Sequence, residues 1–153
     1  MTVSLKTVSR EDLRALFQLK VDASQQDFVA PNEITLAQVA YEPNAEVFGI
    51  WADDQLVGLT ALIDTTDYPH LEDGDDPNSG FIWRLMIGHS FQGNGFGTAA
   101  LHEISAWARG RELPKMYLSV VPENAAAIRV YEAFGYARTG RLVDGESEFV
   151  LDL

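Results

Sequence analysis

Gly93, Gly95 and Gly97 alternate with Asn94 and Phe96 between an apolar run and a segment of helical spacing. Glycine has no Cβ, so this run lets the backbone approach a ligand closely and adopt dihedral angles that other residues resist. At the start of a helix, unpaired N–H groups can donate to pyrophosphate oxygens without a basic side chain or a metal ion. A tight structural turn would use the same residues. The strand-before, helix-after context is what favours a ligand. Two familiar phosphate motifs fit poorly. Thr98 follows Gly97, so the third glycine of a dinucleotide fingerprint is displaced, and the first strand and turn of the chain carry no such signature. Gly88 and Gly93 have the spacing that opens a P-loop, but Asn94 and Gly95 stand where its lysine and hydroxyl residue belong. Hydride transfer and nucleotide hydrolysis therefore become weak alternatives.

Composition narrows the remaining chemistry. A chain of 153 residues can bury one substantial core, which predicts a single domain over residues 1–153, and a hydrophobic fraction of 46% is enough to fold it. There is no cysteine, so disulfides, thiolate metal sites and cysteine nucleophiles are excluded. His70, His89 and His102 lack metal-ligand spacing, and no metal is expected. With 11 basic and 23 acidic side chains the formal charge is −12, which disfavours nonspecific nucleic-acid binding and suits a small cationic partner. No segment has the length and apolarity of a membrane span, and the first residues lack a signal peptide's apolar run, so no membrane association and a cytoplasmic location are expected.

The elements that must position these residues follow from periodicity. A strand at 3–8 is followed by Ser9 and Asp12 at capping-box spacing, and a helix is expected to run on through Val21. Pro31 interrupts the chain, and a short helix is expected at 35–41. Asp53 and Asp54 separate two apolar strands of a hairpin. Residues 64–80 carry Asp64, Asp67, Glu72, Asp73, Asp75 and Asp76 among prolines and glycines, the composition of a solvated loop or of an acidic mouth that attracts an amine, with Tyr68 as an aromatic surface. Strands at 81–87 and 115–121, a helix from Gly93 or Gly95 to about 109, a helix ending at Gly135 and two closing strands complete an α+β order with a mixed sheet.

In the order Gln92-Gly93-Asn94-Gly95-Phe96-Gly97, then Asn124 and Tyr131 in the downstream helix, the chain resembles the GCN5-related N-acetyltransferase family. The resemblance implies the acyl-CoA N-acyltransferase fold, a central mixed sheet with a splayed strand pair flanked by helices, and acetyl-CoA as co-substrate. It implies that backbone groups of Leu85, Met86 and Ile87 bind the pantetheine arm, and that those from Gln92 through Gly93, Asn94, Gly95, Phe96 and Gly97 to Thr98 hold the pyrophosphate. Asn124 is similar to the family's cofactor-contacting asparagine, and Tyr131 to the tyrosine that protonates the departing thiolate. As residues alone, Asn124 would equally cap its helix and Tyr131 pack in the core. A homodimer is a further family expectation.

An ammonium acceptor must lose a proton before it attacks, yet Trp83-Arg84-Leu85 offers no carboxylate where some family members supply a base. Asp22, Asp27, Glu33, Glu72 and Asp73 are the substrate-side candidates, each equally readable as a solvated carboxylate or local cap. Residues 27–38, the 81–97 region and the closing strands resemble the spermidine and diamine acetyltransferase branch, which implies a polyamine acceptor. Another small amine, such as an antibiotic or an amino-acid derivative, and a non-catalytic acetyl-CoA-binding module are the competing readings.

Overall fold

The structure, a computed structural model, describes residues 1–153. Its strands are β1 (Val3–Thr7), β2 (Ala45–Ala52), β3 (Gln55–Asp64), β4 (Gly80–Ile87), β5 (Lys115–Val120), β6 (Ala137–Val143) and β7 (Glu146–Asp152). Its helices are α1 (Leu13–Gln18), α2 (Asn32–Val39), α3 (Phe96–Gly110) and α4 (Ala125–Phe134). The strands form one sheet in the order β1-β2-β3-β4-β5-β7-β6. Every pairing is antiparallel except β4 with β5.

Strand alternation divides the side chains between two faces. On β5, Met116, Leu118 and Val120 are buried against α3 and α4, with Leu101, Ile104, Ile128 and Phe149 in the same cluster. Leu101 and Ile104 are fully excluded from solvent, one helical turn apart on α3. The opposite face is covered by α1 and α2 only over β2, β3 and the end of β4, where Leu16, Leu59 and Met86 cluster. Over β5 and β7 the same face carries Tyr117, Ser119, Glu146 and Glu148, and the 65–79 connector lies against it.

Two helices differ from their expected bounds. The first stops at Gln18 because Leu19 turns extended, and Asp22 then caps a separate turn at Ala23–Gln25. The second starts at Asn32, directly after Pro31, and ends at Val39. Buried Asn32 donates to the Leu16 and Leu19 carbonyls at 2.9 and 3.3 Å, satisfying the end of α1. The connector also departs from a freely solvated loop. Thr65 and Ser79 close its base by mutual hydrogen bonds, Tyr68 donates to Glu42 at 2.6 Å, and Tyr117 donates to Asp76 at 3.1 Å. No helix is long and apolar enough to cross a membrane.

Candidate active site

The register of β4 creates the site. β4 and β5 pair only at Gly80–Met116, Phe81–Tyr117 and Ile82–Leu118. Beyond these the strands diverge. On its other edge, β4 shifts register against β3, with Arg84 opposite Ala61 and Ile82 opposite Leu62, so that Trp83 is the bulged residue. A bulge bends its strand and re-aims the residues beside it, and here it sits where the parallel pair opens. On the groove side β4 has no strand partner past Ile82, and apart from the Trp83 and Ile87 carbonyls, which accept from Arg84 and Gln92 side chains, its free backbone groups are available to an extended ligand arm.

A continuous groove of about 960 Å³ passes through this opening, at the upper end of ordinary small-molecule sites. Leu85, Met86 and Ile87 line it on one side. At one end lies the glycine turn. Gly93 and Gly95 hold φ of +80° and +78°, and a Cβ placed on either would meet nothing within 4 Å. Conformation, not crowding by the protein, is therefore what requires glycine there. The first helical bond of α3 runs from the Ala99 N–H to the Gly95 carbonyl, leaving the N–H groups of Phe96, Gly97 and Thr98 ahead of the hydrogen-bond ladder. Those free donors at a helix N-terminus beside open space suit the pyrophosphate of a CoA donor. Two side chains of the turn have internal work. Gln92 donates to Gln25 at 3.1 Å and to the Ile87 carbonyl at 3.0 Å, and Asn94, which does not line the groove, folds back onto the Phe91 carbonyl.

Asn124 and Tyr131 line the groove from α4. Asn124 Oδ1 accepts from the Ala127 N–H at 3.3 Å as the helix cap, while its amide nitrogen has no protein partner. The cap and a ligand contact are thus compatible. The Tyr131 hydroxyl makes no protein hydrogen bond, and burial pushes its pKa up to about 12. Its ring packs edge-on against buried Tyr136 at 6.0 Å between centroids.

The far end of the groove is acidic, but through a different set of residues from most of those the sequence suggested. Asp27 and Glu72 line the groove, Asp27 two residues from the Gln25 that bonds Gln92 of the glycine turn; Asp22, Glu33 and Asp73 do not line it. Asp22 is held by the Ser24 side chain and N–H, which lower its pKa, and Glu33 pairs with Lys20 at 3.3 Å. Asp73 uses its backbone carbonyl to accept from Arg141 Nη2 at 3.0 Å. Asp75 and Asp76, from the acidic 64–80 segment, join Asp27 and Glu72, and the unanticipated carboxylates are Glu42, Asp144, Glu146 and Glu148. Arg141 offsets Asp75 at 2.8 Å and Glu148 at 3.1 Å. Glu42, Asp76 and Glu146 instead accept from the neutral hydroxyls of Tyr68, Tyr117 and Ser119. They are oriented, yet their charge is not offset by direct ion pairing. The one available signal was the β7 alternation, which places Glu146 and Glu148 together on the face away from buried Phe149. Arg84 sits among these groups with its guanidinium over Trp83 at 4.7 Å; burial lowers its pKa, and Glu146 acts in the opposite direction. No group of three or more His, Asp or Glu side chains is arranged to hold a metal ion.

A mixed sheet flanked by helices, whose one parallel strand pair opens around a groove, is the architecture of the acyl-CoA N-acyltransferase fold. Residues 10–136 match the model of the Acetyltransferase (GNAT) family, and the chain belongs to that family. It is an acetyl-CoA-dependent N-acetyltransferase. It is 26% identical to the spermine/spermidine N(1)-acetyltransferase of Bacillus subtilis (strain 168), an alignment that covers 100% of both chains. Among solved structures it superposes on the aminoglycoside acetyltransferase AAC(6')-Ib in complex with coenzyme A with a TM-score of 0.81, at 21% identity over 99% of this chain and 95% of that one. It superposes on the spermidine N-acetyltransferase from Vibrio cholerae in complex with CoA and spermine with a TM-score of 0.75, at 21% identity and the same coverage. At that identity the structural likenesses speak for the fold.

Proposed function

We propose that this enzyme acetylates a primary amine of spermidine, spermine or a related diamine by direct attack on the thioester. The observation that carries this reading is the charge state of the acceptor end. Glu42, Asp76 and Glu146 are held in place by neutral hydroxyls and lack direct cationic partners, so a substrate with several ammonium groups would complete the wall. Distal ammonium groups bound there would leave one amine free to approach the opening between β4 and β5, separating recognition from chemistry. The 26% full-length identity to a spermine/spermidine N(1)-acetyltransferase supports the same substrate class.

In this reading the glycine turn and the first N–H groups of α3 hold the pyrophosphate, the open edge of β4 at Leu85, Met86 and Ile87 holds the pantetheine arm, and Asn124 adds its amide donor. A backbone N–H in the opening stabilises the oxyanion that develops on attack. Tyr131 gives its proton to the departing sulfur. A product-resolved panel containing spermidine, spermine, a short diamine, an aminoglycoside, an amino-acid amide and a monoamine without a distal ammonium tests the assignment. Polyamines are expected to show the highest kcat/KM, declining as salt is raised. Equal turnover of the monoamine would remove charge-based selection, preference for the aminoglycoside would move the assignment to antibiotics, and CoA binding without any acetylated product would favour a binding module.

A further inference from the structure

β4 supplies no carboxylate to accept the ammonium proton: its charged residue on the groove is Arg84, whose guanidinium donates to the Trp83 carbonyl and to Gln38 Oε1, each at 3.0 Å. The opposite wall does supply one. Ser119 is the residue that follows Leu118, the last β5 residue paired with β4, and its side chain faces away from the core residues Leu118 and Val120. Its hydroxyl therefore stands at the start of the opening. Ser119 Oγ donates to Glu146 Oε1 at 3.1 Å. Ser119 is opposite Glu148 in the antiparallel β5–β7 ladder, so Glu146 lies two residues further toward the diverging end. Its second oxygen, Oε2, accepts from no protein group, whereas both oxygens of Glu148 are engaged, by Thr139 and by Arg141.

We infer that Glu146 is the general base of the reaction, oriented by Ser119, with Tyr131 as the acid on the other side of the reacting carbon. This assignment rests on the acetyl-transfer reading above. Glu146 Oε2 takes one proton from the acceptor ammonium, and the freed electron pair forms the C–N bond. The C–S bond breaks with its electron pair going to sulfur, which takes the Tyr131 proton. The surplus proton on nitrogen restores the Tyr131 hydroxyl through solvent, and Glu146 releases its proton to water. The products are amide, thiol and one proton. The charged and titratable groups lining the same part of the groove are Arg84 from β4, Tyr117 from β5, Arg141 from β6, Asp144 from the β6–β7 turn, Tyr131 from α4, Glu148 from β7 itself, and Asp75 and Asp76 from the connector, which bond Arg141 and Tyr117.

The experiment measures pH–rate profiles and CoA affinity for wild type, Glu146→Gln, Glu146→Asp and Ser119→Ala, using the amine that wild type acetylates best. Glu146→Gln is expected to lose roughly 100-fold in kcat near neutral pH. That loss should shrink as pH rises and solvent itself supplies neutral amine, while CoA affinity stays unchanged. Glu146→Asp should recover part of kcat, and Ser119→Ala should lower kcat by several fold with little change in KM. A Glu146→Gln enzyme with full kcat and a raised KM, or with a loss that is the same at every pH, would overturn the base assignment and leave Glu146 a recognition charge. If Glu146→Gln fails to bind CoA, Glu146→Ala in the presence of added formate decides, and a kcat loss that formate does not relieve at any pH would overturn the assignment. Wild type that releases no CoA with any amine would sink the acetyl-transfer reading itself, a result separable from a failure of Glu146 alone.

Discussion

Tyr131 combines a groove-facing position, no protein partner for its hydroxyl, and a pKa pushed up to about 12 by burial. An acid must be protonated to act, so this group stays competent at every pH below that value and imposes no alkaline loss of activity of its own. Tyr131→Phe keeps the ring packing against Tyr136 and removes only the hydroxyl proposed as the acid. Its kcat is expected to fall about 100-fold with CoA affinity nearly unchanged, measured by steady-state kinetics and calorimetry. Unchanged turnover would return Tyr131 to a packing role. At this scale the sequence was informative where a residue sits inside a contiguous motif. Asn124 and Tyr131 lie on one short helix, and their relation to the groove follows from helical spacing. The acidic residues were less legible, because a carboxylate's meaning depends on what stands opposite it: Glu33 meets Lys20, while Glu146 meets the Ser119 hydroxyl.

Among the elements, the start of α4 is where one residue is proposed to serve stability and ligand together. Asn124 Oδ1 caps the helix, and the amide nitrogen has no protein partner, which leaves it open to the proposed CoA contact. Asn124→Asp preserves a capping oxygen but replaces the donor with a negative charge facing an anionic ligand. CoA affinity is expected to drop about 10-fold or more while the urea midpoint changes little, whereas Asn124→Ala should cost about 1 kcal/mol of stability as well. A midpoint for Asn124→Asp as low as that of Asn124→Ala would show that the carboxylate does not replace the cap. The strands and the two long helices were readable from periodicity and punctuation, since Gly135 with φ +124° and the Asp144-Gly145 hairpin turn demand particular residues. The length of pairing between β4 and β5 was not readable. It depends on the bulge at Trp83, which period-2 patterning does not reveal.

At the level of the whole molecule, the 65–79 connector is an ordered wall tied to three parts of the fold by Tyr68, Tyr117 and Arg141. Burial first, then the Glu42 and Asp76 hydrogen bonds, raise the Tyr68 and Tyr117 pKa values from 10.0 to about 12. The folded state therefore favours the neutral phenols. Their contribution to stability is complete below the unfolded value of 10.0 and is lost as pH rises through about 12. Urea midpoints followed across that window should fall more steeply for wild type than for the Tyr68→Phe/Tyr117→Phe double variant. Parallel curves would show that the two phenols carry none of the alkaline sensitivity. The proposed donor end was legible in the sequence itself, because a strand, a glycine turn and a helix start are neighbours in the chain and their backbone donors need no distant partner. The acceptor end was decided only by tertiary structure. Its carboxylates come from the end of α2, the connector and the closing hairpin, and strand register, side-chain alternation and the Arg141 pairings settle which of them face the groove with their charge still uncompensated.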